Sequence, residues 1–292
     1  TSEKTRRHCM MMENVNYGRE ELMFLNIIRN GYLGNLLHAE AAYIHDLRFQ
    51  MFEEDRGTGS WRTLQYEKKK GNLYPTHGLG PVSQYMNLLR SEDNFKTIVS
   101  FSSPAMGRKK FANENFPENH KWNELNYQNG DLNTSIIKTH LGRTIMVQWD
   151  ETSPRPYTRL NLIQGTKGIL AGGPTRAAFD DGFENFTNDS KQWIKDDGIK
   201  RLYEKYDHPL YKRLNEKTKD SGHGGMDGIM MYRIVECLKN GTPLDQNIYE
   251  GCAWSSLIEL TSNSVKDDGQ PQQFPDFTRG NWVTTKTFDI IS

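Results

Sequence analysis

Two hairpin signatures in close succession constrain this chain more than any other feature. Residues 134–139 (Thr-Ser-Ile-Ile-Lys-Thr) and 144–149 (Thr-Ile-Met-Val-Gln-Trp) flank His140-Leu141-Gly142-Arg143. Residues 157–164 and 168–171 flank Gly165-Thr166-Lys167. β-rich runs separated by short glycine-containing turns are hairpins. Several strands joined this way must pair antiparallel, because a parallel partner needs a crossover of a dozen or more residues. Further strands are expected at 34–44 and 97–101.

The helical segments have to cover that sheet. Leu22, Leu25 and Ile28 repeat at helical spacing within 19–30, and Gly31 follows as a stop. Leu79, Val82, Met86 and Leu89 do the same after residue 76, with Tyr85 and Leu88 widening the stripe. Helical character is expected at 191–194, at 203–216, in the segment opened by Gly222-His223-Gly224-Gly225-Met226-Asp227-Gly228, and across 242–263. A short buried strand is expected at 8–12, ahead of the first helix. Residues 45–70 and 111–130 show few periodic apolar positions and read as long polar or irregular segments. Residues 274–292 read as loop and short strand.

Bulk properties exclude some functions. Lys plus Arg and Asp plus Glu both number 37, so no electrostatic case exists for nucleic acid or an anionic membrane. Mean hydropathy is −0.78, and no apolar run approaches the roughly 20 residues of a bilayer span. Cys9, Cys237 and Cys252 have neither zinc nor redox spacing. Cys9, beside three methionines, reads as a small buried hydrophobe. The polar opening 1–7 leads straight into the expected strand, as the interior of a longer protein would.

One segment carries chemistry: Gly71-Asn72-Leu73-Tyr74-Pro75-Thr76-His77-Gly78-Leu79-Gly80-Pro81. Thr76 is a candidate helix cap. His77 then lies in the first turn, where the helix dipole favours a neutral imidazole able to take a proton. With Tyr74 three residues earlier, a phenol and an imidazole become a pair for proton transfer on a sugar or alcohol. Tyr43 ends a strand. Arg62 follows Trp61 and suits a polar ligand. Tyr157 follows the stiff Pro154-Arg155-Pro156, and His223 and Asp227 share a glycine-dense turn. Glu40, Asp46, Asp150 and Glu151 are carboxylates open to consideration, although glycosidase pairs cannot be recognised by spacing. No G-x-G-x-x-G, P-loop or H-E-x-x-H pattern occurs.

Taken in order, Glu13-Asn14, residues 41–46 (Ala-Ala-Tyr-Ile-His-Asp), Trp61-Arg62, 74–81 (Tyr-Pro-Thr-His-Gly-Leu-Gly-Pro), Pro154 to Tyr157, 222–227 and 275–280 (Pro-Asp-Phe-Thr-Arg-Gly) closely resemble the NAD-dependent α-N-acetylgalactosaminidases of glycoside hydrolase family 109. These belong to the wider Gfo/Idh/MocA oxidoreductase superfamily. The resemblance implies an α+β fold with a large open, mainly antiparallel sheet and helices on one face. Residues 1–33 would be the remnant of a dinucleotide-binding domain, its last strand and helix, and 34–292 the substrate-binding domain. By position, Asn14 resembles a cofactor contact; Tyr43, Arg62, Tyr74, Pro75, Thr76, His77 and Tyr157 resemble substrate contacts, with Tyr74 and His77 nearest the reacting carbons. His223 is added from its glycine-rich setting. The implied reaction oxidises C3 of a terminal N-acetylgalactosamine with NAD, eliminates the aglycone, adds water and returns the hydride with retention. A sugar dehydrogenase of the same superfamily and a non-catalytic dimerisation or sugar-binding module are the competing expectations. The resemblance also implies export in a bacterium, and an open sheet implies a homodimer.

Overall fold

The computed structural model describes residues 1–55, 57–180, 186 and 189–287. Its centre is a sheet of strands β1 (Leu36–Ile44), β2 (Phe95–Ser102), β3 (Leu132–Thr139), β4 (Thr144–Asp150), β5 (Leu162–Gly165), β6 (Gly168–Ala171), β7 (Arg176–Phe179) and β8 (Gln272–Gln273). Their order is β7-β6-β5-β1-β4-β3-β2-β8. Both expected hairpins form: β3 with β4 and β5 with β6 are antiparallel neighbours. Gly142 turns the first with φ 83°, a left-handed conformation that glycine adopts without steric cost. Among the described residues the one parallel strand pair in the sheet, β1 with β4, joins the two meanders at the centre.

Alternation along the strands separates two faces. Ile98, Ile137, Ile145, Val147 and Ile163 are fully buried and meet Leu22, Phe24 and Ile27 of helix Arg19–Arg29, Leu79 and Val82 of helix Thr76–Tyr85, and Trp254 and Leu257 of helix Ile248–Lys266 in one cluster. The other face carries Val99, Ile136, Met146 and Leu162 in register with Glu40, all partly or fully exposed. Helices therefore lie on one face of a large open, mostly antiparallel sheet.

Several expectations fail for identifiable reasons. Residues 8–12 form no strand. Instead Met11 lies against helix Ile248–Lys266, its Cβ close to Gly251, and Cys9 is exposed rather than buried. Residues 45–70 hold a 3-10 turn, Arg48–Phe52, and helix Thr58–Lys68. The buried residues of that helix include Ser60, Arg62, Thr63 and Tyr66, so its inner side shows no apolar period. Residues 111–130 likewise include the end of helix Gly107–Asn115 and the short helix Lys121–Glu124. Residues 191–194 are not helical, and Ile194 bridges Ala177 of β7. The helix expected over 203–216 divides into Asp197–Tyr206 and Pro209–Thr218, since a proline fits the first turn of a helix but not its interior. In the tail, 288–292 lie outside the described residues.

Candidate active site

Two glycines let three separate segments converge. A Cβ at Gly78 would lie 2.4 Å from the Ala42 nitrogen and 2.8 Å from its oxygen, so helix Thr76–Tyr85 rests directly on the β1 backbone. A Cβ at Gly80 would lie 2.9 Å from both Glu13 Cγ and Asn16 Oδ1. The same helix thus accepts β1 on one side and the 3-10 turn Asn14–Tyr17 on the other. This contact brings His77 to Tyr43 and to Glu13.

The His77 ring lies 4.9 Å from that of Tyr74 and 5.3 Å from that of Tyr43, and the two phenol rings are 4.7 Å apart. His77 Nδ1 is 2.6 Å from Glu13 Oε1. A carboxylate only accepts, so Nδ1 carries the hydrogen and Nε2 is left as the acceptor. Glu13 is buried and firmly held. Its backbone N–H donates to Gln246 Oε1 at 3.1 Å, its carbonyl accepts from Gln246 Nε2 at 2.8 Å, and Val15 N–H donates to Oε1 at 3.2 Å. Burial, followed by the charge of Glu13, raises the Tyr74 phenol above the ordinary tyrosine range. Burial also raises Tyr43, against the opposing charge of Arg62. Both phenols therefore keep their protons and act as hydrogen-bond donors.

Tyr43 and His77 open onto a hollow of about 350 Å³ lined also by His45, Tyr157, Arg159, His223 and Met226; Tyr74 packs against both rings and is not among the lining residues. His45 Nδ1 is 3.2 Å from Tyr43 Oη, and its ring meets Tyr157 edge-on at 5.0 Å. Arg159 donates to Tyr157 Oη at 2.7 Å and to buried Glu21 at 2.6 Å. His223 Nδ1 is 2.7 Å from Asp227 Oδ2, and Asp227 Oδ1 accepts from Asn14 Nδ2 at 2.6 Å. Among the described residues no carboxylate lines the hollow: Glu13, Asp227 and Glu21 each stand behind an imidazole or a guanidinium. A second hollow, about 400 Å³ between segments 2–9 and 241–249, shares none of these residues.

The remaining candidates distribute unevenly. Arg62 does not line the hollow. It is buried behind it, paired with fully buried Glu151, its guanidinium 5.3 Å from the Tyr74 ring centre. Pro75, not Thr76, occupies the cap position, and no side-chain cap bond forms. Pro75 already has helical dihedrals (φ −79°, ψ −22°), whereas a cap needs an extended residue. Thr76 is simply the first helical residue. Of the four carboxylates considered, Glu40 lies on the open sheet face, Asp46 pairs with Arg48 at 2.7 Å, Asp150 accepts from the Thr152 and Ser153 amides, and Glu151 pairs with Arg62. Sequence reasoning assigned no role to Glu13, His45 or Arg159. His45 and Arg159 had a readable signal: each follows a site tyrosine by two residues in extended chain, which points both side chains the same way. Glu13 had none, lying 64 residues from His77.

Comparison with known proteins identifies relatives of the chain and of its fold. The model of the glycosyl hydrolase 109 C-terminal domain matches residues 17–284. Glycosyl hydrolase family 109 protein 1 of Akkermansia muciniphila is 60% identical over 293 residues, covering 100% of this chain and 60% of that protein. The family 109 protein of Shewanella baltica (strain OS185) is 55% identical, covering 100% of this chain and 62% of its own length. The chain thus spans about 60% of the length of the curated relatives it matches. Among solved structures, an NAD binding oxidoreductase from Klebsiella pneumoniae aligns with a TM-score of 0.65 at 12% identity, over 94% of this chain and 68% of that one. Levoglucosan dehydrogenase in complex with NADH and levoglucosan aligns with a TM-score of 0.62 at 15% identity, over 92% and 66%. These likenesses show that the chain shares the fold of the corresponding part of those oxidoreductases, and the family match and high sequence identities establish that the chain belongs to glycosyl hydrolase family 109.

Proposed function

We propose that this chain is the sugar-binding and proton-transfer part of an NAD-dependent α-N-acetylgalactosaminidase that releases the terminal sugar with retention. One observation carries the reading: the hollow is lined by imidazoles, phenols and a guanidinium, with its carboxylates withdrawn behind them. Hydrolysis through an oxocarbenium-like transition state needs two carboxyl groups facing the scissile bond, about 5–5.5 Å apart for retention. An imidazole base flanked by neutral phenols suits removal of a proton from carbon or hydroxyl instead.

The geometry supports the following roles. His77 Nε2 is the acceptor for the sugar proton, with Glu13 fixing its tautomer. Tyr43 donates a hydrogen bond to a sugar oxygen, and Tyr74 packs against the Tyr43 and His77 rings and fixes them. Tyr157, held by Arg159, forms the opposite wall. Arg62 acts from behind, through its contact with Tyr74. NAD, when bound, would supply hydride transfer to and from a sugar carbon. Of the residues here, Asn14 would hold its nicotinamide end, since its Oδ1 has no partner among the described residues. The pyrophosphate is held by a G-x-G-x-x-G turn between a strand and a helix, and that pattern does not occur in this sequence. The chain therefore fits one end of the cofactor only.

The same proposal places a second copy over the open sheet face. Val99, Ile136 and Met146 form an apolar row across three adjacent strands, with Leu162 beyond Glu40 of β1, and a twofold partner would cover it with an identical row.

The test uses the intact protein that contains this chain. It should hydrolyse 4-nitrophenyl α-N-acetylgalactosaminide in an NAD-dependent way, give the α-anomer first by NMR, and accumulate no reduced cofactor. His77→Ala should lower turnover by roughly a hundredfold or more. Reduced cofactor formed one-for-one with product would make the protein a sugar dehydrogenase instead.

A further inference from the structure

A second imidazole–carboxylate pair faces the same hollow and is built unlike the first. His223, Gly224 and Gly225 hold consecutive positive φ values of 54°, 67° and 97°. Glycine takes such values freely; histidine does so only when its surroundings impose it, and such residues concentrate at functional sites. In this conformation His223 Nδ1 lies 2.7 Å from Asp227 Oδ2. Gly222 makes room for it, since a Cβ there would fall 2.3 Å from that same oxygen. Asp227 is anchored on its other side by Asn14 at 2.6 Å. Burial pushes its carboxyl up, but the hydrogen bonds from Asn14 and His223 and the charges of His223 and His77 outweigh this and hold it below the usual aspartate range. It is an acceptor at neutral pH, so His223 Nδ1 carries a hydrogen and Nε2 is the nitrogen left to exchange a proton.

Exposure separates the two pairs. The His77 side chain is 19% exposed and the His223 side chain 68% exposed, yet both line one hollow. The sealed imidazole suits a ring carbon, and the outer one stands where an aglycone must leave and water must enter. We propose that His223, oriented by Asp227, is the proton donor to the departing glycosidic oxygen and the proton acceptor from the incoming water. This rests on the glycosidase reading above.

The protons balance. As the C2 proton passes to His77 Nε2, the C1–O bond breaks and its electron pair stays on the glycosidic oxygen. That oxygen takes the Nε2 proton of the His223 imidazolium, and the aglycone leaves as a neutral alcohol. In the return step the water oxygen bonds to C1, one water proton recharges His223, and His77 returns its proton to C2. Each group ends as it began.

The test compares two glycosides on one preparation of the intact protein with NAD. Methyl α-N-acetylgalactosaminide has a poor leaving group that needs a proton. The 4-nitrophenyl glycoside has a leaving group stable as the anion. For His223→Ala, kcat/KM on the methyl glycoside should fall on the order of a hundredfold or more, the range for general acid catalysis, while the nitrophenyl glycoside changes only a few-fold. Asp227→Asn should shift the ratio of the two substrates in the same direction but less. That ratio does not depend on how much of the sample is folded. Equal losses on both substrates, or full activity on the methyl glycoside, would overturn the assignment while leaving the glycosidase reading intact. Failure of the unsubstituted protein to hydrolyse either glycoside would overturn both.

Discussion

Replacing Gly78 with alanine isolates the contact on which the site depends. The new Cβ would sit 2.4 Å from the Ala42 nitrogen, 2.8 Å from its oxygen and 3.0 Å from the Ala41 carbonyl carbon. Ordinary contacts between such atoms begin near 3.5 Å, so the helix and β1 must separate by about 1 Å. All three atoms belong to backbone, and the Ala42 N–H is itself bonded to the Arg159 carbonyl at 2.7 Å, so no flexible side chain can yield. Overpacking of this kind costs about 1–3 kcal/mol. The better helix propensity of alanine returns at most about 1 kcal/mol. The expected net loss is roughly 1–2 kcal/mol, a fall in Tm of about 2–8 °C at the 2–4 °C per kcal/mol typical of larger domains. Turnover should suffer more, because a displacement near 1 Å of a reacting group costs on the order of a hundredfold. Gly142→Ala is the control: its φ is 83° and its Cβ would meet nothing within 4 Å. It should lose a similar amount of stability, about 1–2 kcal/mol, with activity unchanged. Calorimetric melting and hydrolysis rates on both variants decide the matter. A Gly78→Ala protein as stable and active as its parent would refute the close-contact argument; equal activity losses in both variants would refute the positioning argument.

Other consequences are open to simpler measurements. Glu13→Gln should keep a hydrogen bond to His77 Nδ1 only by turning its amide oxygen inward, and it removes the negative charge that supports a protonated ring; a fall in turnover of roughly tenfold to a hundredfold with KM little changed is expected, and an unchanged rate would remove Glu13 from the base. Glu151→Ala should destabilise the chain by about 3–5 kcal/mol, because it strands the buried Arg62 and Arg108 guanidinium groups; a Tm within a degree of the parent would contradict this. The hydrogen bond from Arg213, aided by Arg233 and opposed by slight burial, holds Glu236 down to about 2. Its folded pKa lies below the unfolded value near 4.3, so its stabilising contribution is complete above that value and disappears as pH falls toward about 2. The Tm difference between parent and Glu236→Gln should therefore shrink across that interval, and a constant difference would show that Glu236 contributes no linkage.

The competing carboxylates show how local signals mislead. Glu151 was open to consideration as a catalytic carboxylate, and it is one ion of a buried pair with Arg62. Cys9 looked like a core residue, and it is exposed. In each case the immediate neighbours in sequence were the only guide, whereas burial is decided by what packs from elsewhere. Helix Thr58–Lys68 makes the same point. Its inner side is polar because it meets Arg108 and Glu151 rather than aliphatic side chains, so an apolar period had no reason to exist.

Periodicity and turn chemistry did determine the β3–β4 and β5–β6 hairpins, the helices that begin at Arg19 and Thr76, and the placement of Tyr74 and His77 at a helix entrance. Those features depend on interactions a few residues long, and the chain writes them locally. Only the tertiary structure decided that β1 would run parallel to β4, that Glu13 would set the tautomer of His77, that Arg62 would lie behind Tyr74, and that Asp227 would link Asn14 to His223. These pairings span 64 to 213 residues in two of the cases. The contacts of His77 exist because Gly78 leaves no side chain over the β1 backbone and Gly80 leaves room for the Glu13 and Asn16 side chains, and spacing along the chain carries no record of which distant segment will fill such a gap.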